Sequence, residues 1–268
     1  MWGCGESCVC PARVLAAVAV GAAVQIIAPN AAAEPVQPKY GWREVWAGSD
    51  AMRDVWLIYS GVTLAPWSEH IYEPGVRLRS HVGYGQYDRV TIEGGIRHVY
   101  KLQVAYTDAL IGYHWRFGEL TAKAFVGIAA IEHVSVDGKS GAAGLEYGPK
   151  AMLELWLNLG QSQWTSLNLA YTTAHETASA RWRWGFKLTP EMSVGPEVRF
   201  DTNTASVNRD YSFLDQSLGR AGLFLSYKWP SVEVSVAGGI GAHFAGTERD
   251  SERHELSPYG TLNMLYQF

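Results

Sequence analysis

The stretch EHVSVDG places His133 and Ser135 two residues apart, with Asp137 following. On an extended strand, side chains two apart share a face. An imidazole beside a hydroxyl is the arrangement that activates a serine nucleophile, and a carboxylate is a common group for orienting the imidazole. That chemistry would be hydrolysis. A second set of residues carries charge instead. Arg77, Arg79, Lys123, Lys150, Arg181, Arg183, Lys187, Arg199, Arg220 and Lys228 alternate with apolar neighbours, as do Glu154, Glu197, Asp201 and Glu233. His81, Trp156 and Phe224 fall in phase with these charges. Charges packed on one face must be paired or hydrated. They suit an ion-pair network that fills an interior, or a positively lined path for an anionic or polyhydroxylated solute. A neutral glucan would need aromatic platforms more than charge, and Trp156 and Phe224 offer them if they are not packing residues.

The cysteines carry no chemistry on this reading. Cys4, Cys8 and Cys10 all precede an apolar run, Val14 to Ala28, that has signal-peptide length and follows Arg13. Small residues at Ala31 and Ala33 place a cleavage site after Ala33, so residues 1–33 are read as an export signal. The mature chain then has no disulfide and no thiol catalyst. No metal-ligand spacing is visible, no cofactor is expected, and a net charge of −4 gives no reason to expect nucleic acid.

The element that must position the charged residues is a strand, repeated. In ASARWRWGFKL, Ala180, Trp182, Trp184, Phe186 and Leu188 separate completely from Ser179, Arg181, Arg183, Gly185 and Lys187. A helix would mix these sets; a period of two divides them. The same division recurs after a short lead at 34–42. It predicts twelve strands over 43–268: 43–51, 54–65, 75–87, 101–115, 120–135, 148–159, 163–174, 178–188, 192–203, 218–229, 232–244 and 257–268. A phase change near Thr107 and Asp108 predicts a bulge there. Connections alternate between short (RFGE, LGQSQ, TPEM, KWPS) and long and polar (DGKSGAAGLEYG, TNTASVNRDYSFLDQS, GTERDSERHELS). The segment PWSEHIYEP breaks this alternation, being long where a short turn is expected.

These features predict an all-β, transmembrane, antiparallel up-and-down barrel in the bacterial outer membrane, with both termini on the periplasmic side. The alternative is a soluble sandwich or barrel. Against it, the apolar faces carry Trp182, Trp184, Tyr227, Trp229, Tyr266 and Phe268 near strand ends, as an interfacial girdle would. The last strand, LNMLYQF, places Leu262, Met264, Tyr266 and Phe268 on one face. It is similar to the C-terminal signal that the barrel-assembly machinery reads, and it must pair with the first strand because lipid cannot satisfy an open edge.

Several stretches resemble one family. EVWAGSDAMRDVWLIYSGVTLAP, GVRLRSHVGYGQY, ALIGYHWRFGELTAKAFVGI and GPEVRFDTN are similar to the BcsS family of alphaproteobacterial proteins associated with cellulose biosynthesis. The similarity rests on Gly48–Asp50, Tyr59–Gly61, Arg77-Leu78-Arg79 and Gly83-Tyr84-Gly85. It implies an outer-membrane barrel accessory to cellulose export or surface deposition, with export components or glucan as partners beside the lipid, and it transfers no catalytic residue. The His133–Ser135 pair resembles the arrangement in outer-membrane phospholipase and lipid A deacylase. Its parity turns it towards the lumen, however, whereas a lipid-cleaving site should open to lipid. The expectation is therefore a protein that is not an enzyme, with a lipid hydrolase and a narrow general porin as the alternatives.

Overall fold

The computed structural model describes residues 41–93, 96–136, 144–202, 217–244 and 256–268. The expected export signal, most of the lead, Asp137 and much of the three long connections lie outside these residues. The described chain forms β1 (Arg43–Met52), β2 (Val55–Leu64), β3 (Gly75–Glu93), β4 (Ile96–Phe117), β5 (Leu120–Ser135), β6 (Gly144–Leu159), β7 (Gln163–Thr172), β8 (Thr177–Lys187), β9 (Met192–Thr202), β10 (Ser217–Lys228), β11 (Val232–Phe244) and β12 (Ser257–Gln267). Each strand pairs antiparallel with its sequence neighbours, and β1 pairs with β12 to close the barrel. Below, the near end is the one where β1 starts and β12 finishes.

The wall is a transmembrane one, apolar outside and polar inside. Ile58, Ile111, Val126, Ile128, Leu223 and Ile240 point outward and are more than half exposed. A soluble fold would bury these side chains; a lipid-facing band leaves them bare. Aromatic pairs border the band at the near end: Tyr113–Trp115 at 4.9 Å between ring centres, Tyr227–Trp229 at 4.4 Å and Tyr266–Phe268 at 5.0 Å. Trp56 and Tyr84, 5.7 Å apart, stand on the outer face towards the other end. Leu262, Met264 and Tyr266 also face outward. Phe268 lies one residue past β12, and its backbone exchanges hydrogen bonds of 3.1 and 3.0 Å with Arg43.

The inner face repeats one joint. Gly48 opposes Tyr59, Gly61 opposes Trp46, Gly83 opposes Tyr106, Gly112 opposes Phe125 and Gly185 opposes Trp164. At each of these glycines an added Cβ would overlap the opposing ring. The aromatic lies flat over the bare backbone of the next strand, which brings large rings into the lumen without splaying the wall.

Two sequence expectations need correction. No bulge occurs near Thr107 and Asp108: β4 pairs without interruption with β3 and with β5. The apparent phase change arises because Leu102, Tyr106 and Leu110 point inward beside Asp108, so apolar side chains occupy both faces of β4. The β3–β4 hairpin is also longer than the alternation shows. β2 pairs with β3 only as far as Tyr87, and β5 pairs with β4 only as far as Leu102. Beyond them the hairpin continues alone from Asp88↔Lys101 to Glu93↔Ile96. This adds about 17 Å of strand past its neighbours.

Candidate functional site in the barrel lumen

Every lumen residue expected from the sequence lies on an inward parity: Arg77, Arg79 and His81 on β3, Lys123 on β5, Lys150, Glu154 and Trp156 on β6, Arg181, Arg183 and Lys187 on β8, Glu197, Arg199 and Asp201 on β9, Arg220, Phe224 and Lys228 on β10, and Glu233 on β11. Lys187 and Lys228 are exposed at the near rim. Three acids missed in the sequence join them, Glu44, Asp50 and Asp108, all buried. The expected surplus of ten bases over four acids is smaller for that reason, and most lumen charge is paired.

The pairs cross the lumen. Arg199 of β9 reaches Asp50 of β1 at 2.5 Å and Asp201 at 2.9 Å. Arg220 of β10 pairs with Asp201 and lies 3.5 Å from Asp50. On the other side, Arg79 of β3 meets Glu154 of β6 at 2.6 Å, and Lys123 of β5 stands 3.8 Å from both Glu154 and Glu44 of β1. Lys150 of β6 binds Asp108 of β4 at 2.5 Å, and His81 lies 3.6 Å from the same carboxylate. Of these inter-strand pairs, Arg220–Asp201, His81–Asp108 and Lys123–Glu154 join strands adjacent in the wall, and the others do not. The buried carboxylates among them each meet an opposite charge, several from a strand that is not a neighbour, which is what burial of ions requires.

One cluster is not balanced. Arg181 donates to Glu197 Oε2 at 2.9 and 2.6 Å, and Arg183 donates to the same oxygen at 2.6 Å. Two guanidinium groups thus share one buried carboxylate. Arg183 also lies over the Phe224 ring at 4.8 Å. Phe224 is 5.4 Å from Trp164, and Trp164 stacks on Trp156 at 4.0 Å with 17° between planes.

The segment between β2 and β3, unexplained by the sequence pattern, enters the near mouth. Ala65 and Ile71 are buried, and the Ile71 amide donates to the Gly41 carbonyl at 3.0 Å. Arg77 is fully buried and holds the segment. Its guanidinium donates to the carbonyls of Ile71 at 2.9 Å and Glu73, to Ser68 Oγ at 3.3 Å, and to His114 Nδ1 at 3.1 Å. The Tyr72 hydroxyl donates to Gln267 Oε1 at 2.7 Å, and Lys228 Nζ lies 3.4 Å from that hydroxyl. The segment therefore spans the mouth from β3 to β10 and β12.

A family model described as "Cellulose biosynthesis protein BcsS" matches residues 45–268, nearly the whole described barrel. The chain belongs to the BcsS family. A comparison with curated proteins returned no match. Among solved structures, the chain is similar to a KdgM porin (TM-score 0.47, 10% identity, 84% of this chain and 99% of that one). It is similar to the transport unit of the autotransporter AIDA-I from Escherichia coli (0.49, 12%, 96% and 98%) and to LpxR from Salmonella typhimurium (0.48, 8%, 84% and 100%). At these identities and scores the likeness carries nothing about solute, partner or chemistry.

In this BcsS-family barrel, several of the residues behind the sequence resemblance are lumen joints. Gly48, Tyr59, Gly61 and Gly83 belong to the ring-over-glycine pairs, and Arg77 and Arg79 anchor the inserted segment and a cross-lumen ion pair. The His133–Ser135 pair is also inside, on β5. His133 is buried, with Nδ1 3.0 Å from the Tyr87 hydroxyl and its ring 4.7 Å from that of His175. The third residue of the motif, Asp137, lies outside the described residues. Among the described residues, no group of His, Cys, Asp and Glu is placed to hold a metal ion.

Proposed function

We propose that this protein is an outer-membrane barrel that assists cellulose export or surface deposition, without making the polymer and without hydrolysing lipid. Family membership supplies the link to cellulose. The observation that carries the accessory role is the filled lumen, bridged by charge pairs and entered at the near mouth by the segment after β2. Barrels of roughly eight strands are packed by side chains, and those of about 16 leave an aqueous channel. Twelve strands with this filling support a scaffold more than a bare pore.

In this reading residues 1–33 are a cleaved export signal, residues 34–42 a lead, and the near end faces the periplasm. The outward face of Leu262, Met264, Tyr266 and Phe268 is what the assembly machinery reads. A Phe268→Asp chain that reached the outer membrane at normal abundance would remove that part. The partners are outer-membrane lipid and, for function, export components or the glucan itself. The lumen setting of His133 and Ser135 gives no support to a lipid hydrolase. The decisive experiment is a clean deletion, scored for cellulose retained in the periplasm against cellulose at the surface. A changed location with synthesis intact is expected; unchanged amount and location would overturn the proposal.

A further inference from the structure

We propose that Trp156 is a sugar-stacking platform at the near mouth, taking the face of a pyranose ring of a neutral glucan. The inference deepens the cellulose-accessory reading and rests on it. Its basis is an asymmetry within one aromatic stack. Trp164 is almost wholly buried: it lies over Gly185, donates from Nε1 to Ser193 Oγ at 3.2 Å, and has Phe224 beside it. Trp156 stacks on this fixed ring, also points inward, and yet is 36% exposed. One face of its indole is therefore covered by a rigid neighbour while the side chain stays open to the mouth.

A flat ring held rigid from behind loses little freedom when a ligand stacks on it, which favours binding. The edge of the ring is polar. Its Nε1 donates to Asn158 Oδ1 at 3.1 Å, and Asn158 lies one inward position nearer the rim. A pyranose ring has the matching shape, with C–H bonds on its faces and hydroxyls around its edge. The indole itself carries no charge, and the nearby guanidinium of Arg183 is turned to Glu197 and the Phe224 face, so the platform suits a neutral sugar.

The test uses the purified full barrel in detergent, titrated calorimetrically with cellohexaose. Loss of one stacking partner is expected to weaken binding by at least about tenfold in Trp156→Ala, as single aromatic platforms do elsewhere. Trp156→Phe should keep most of the affinity, and Trp115→Ala, on the outer girdle, should keep all of it. Each variant is checked for heat-modifiable gel mobility. Should Trp156→Ala fail to fold, Asn158→Ala decides, with a smaller loss expected from freeing the indole N–H. A folded wild-type barrel that ignores cellohexaose, or folded Trp156→Ala and Asn158→Ala barrels that both bind it normally, would overturn the platform. A deletion that still mislocates cellulose in that case leaves the accessory role standing. Binding at Trp156 with no deletion phenotype would do the reverse.

Discussion

The lattice around Asp50 and the near mouth around Trp156 and Arg77 occupy the same barrel, but they are finished differently. In the lattice, Arg199 and Arg220 face Asp50 and Asp201, two cations to two carboxylates, reached from strands on different parts of the wall. In the mouth, Arg77 is buried against backbone carbonyls, Ser68 and His114, with no carboxylate bonded to it among the described residues, and Trp156 remains partly open. The lattice pairs its own charges, two against two, and leaves no net charge for a solute. The mouth is closed by hydrogen bonds to the segment after β2 and carries the ring proposed above as a platform. On that proposal, a filled lumen is inert in one layer and receptive in another.

Four substitutions test this contrast. The largest effect is expected from Asp50→Ala, which leaves Arg199 and Arg220 short of a buried partner. Breaking such a pair costs about 3–5 kcal/mol. Urea unfolding followed by gel mobility would measure it, and a loss below about 1 kcal/mol would mean that the lattice is not a closed unit. Arg77→Ala should cost somewhat less, about 1.5–3 kcal/mol for hydrogen bonds to a charged group. Its more telling readout is conductance in a planar bilayer. The wild-type barrel should be nearly silent, and Arg77→Ala should show intermittent openings as the segment after β2 leaves the mouth. A silent Arg77→Ala barrel would show that the lattice alone closes the bore.

The smallest effect is expected at Trp156, with the stacked Trp164 as its reference. Trp164→Ala removes a buried ring and should cost about 3–5 kcal/mol. Trp156→Ala removes a half-open one at the rim and should cost about 1 kcal/mol, close to the value of the aromatic pair itself. Equal losses at both positions would mean that Trp156 is packing, and the contrast between lattice and mouth would weaken.

Much of the wall was legible in the sequence because lipid enforces its pattern. β5 and β11 fall on the expected boundaries, since every second residue there faces hydrocarbon. Where that constraint lapses, the reading fails. The far part of the β3–β4 hairpin stands beyond its neighbours, and the expected strands stopped at Tyr87 and began at Lys101, so Asp88–Glu93 and Ile96–Tyr100 were not read as strand. Leu102, Tyr106 and Leu110 turn inward, and their apolar character imitated a bulge. The bases of the candidate site were visible by parity. Asp50 and Glu44 were not, because their strand, REVWAGSDAM, alternates with small residues outside. Which charges meet across the bore depends on stagger between distant strands, and no local pattern records that.

The joining of β1 to β12 also sets a clock. Glu44 pairs with Gln267, and Tyr59 donates to Asn263 at a separation of 204 residues. Contacts this distant along the chain form slowly, since a long loop must close before they repay its entropy. Until β12 arrives, β1 has one edge with no partner, and the strand most recently added has another. Such edges invite pairing with the wrong chain. A half-made wall therefore depends on being kept apart from its own copies for as long as the chain takes to reach its final strand.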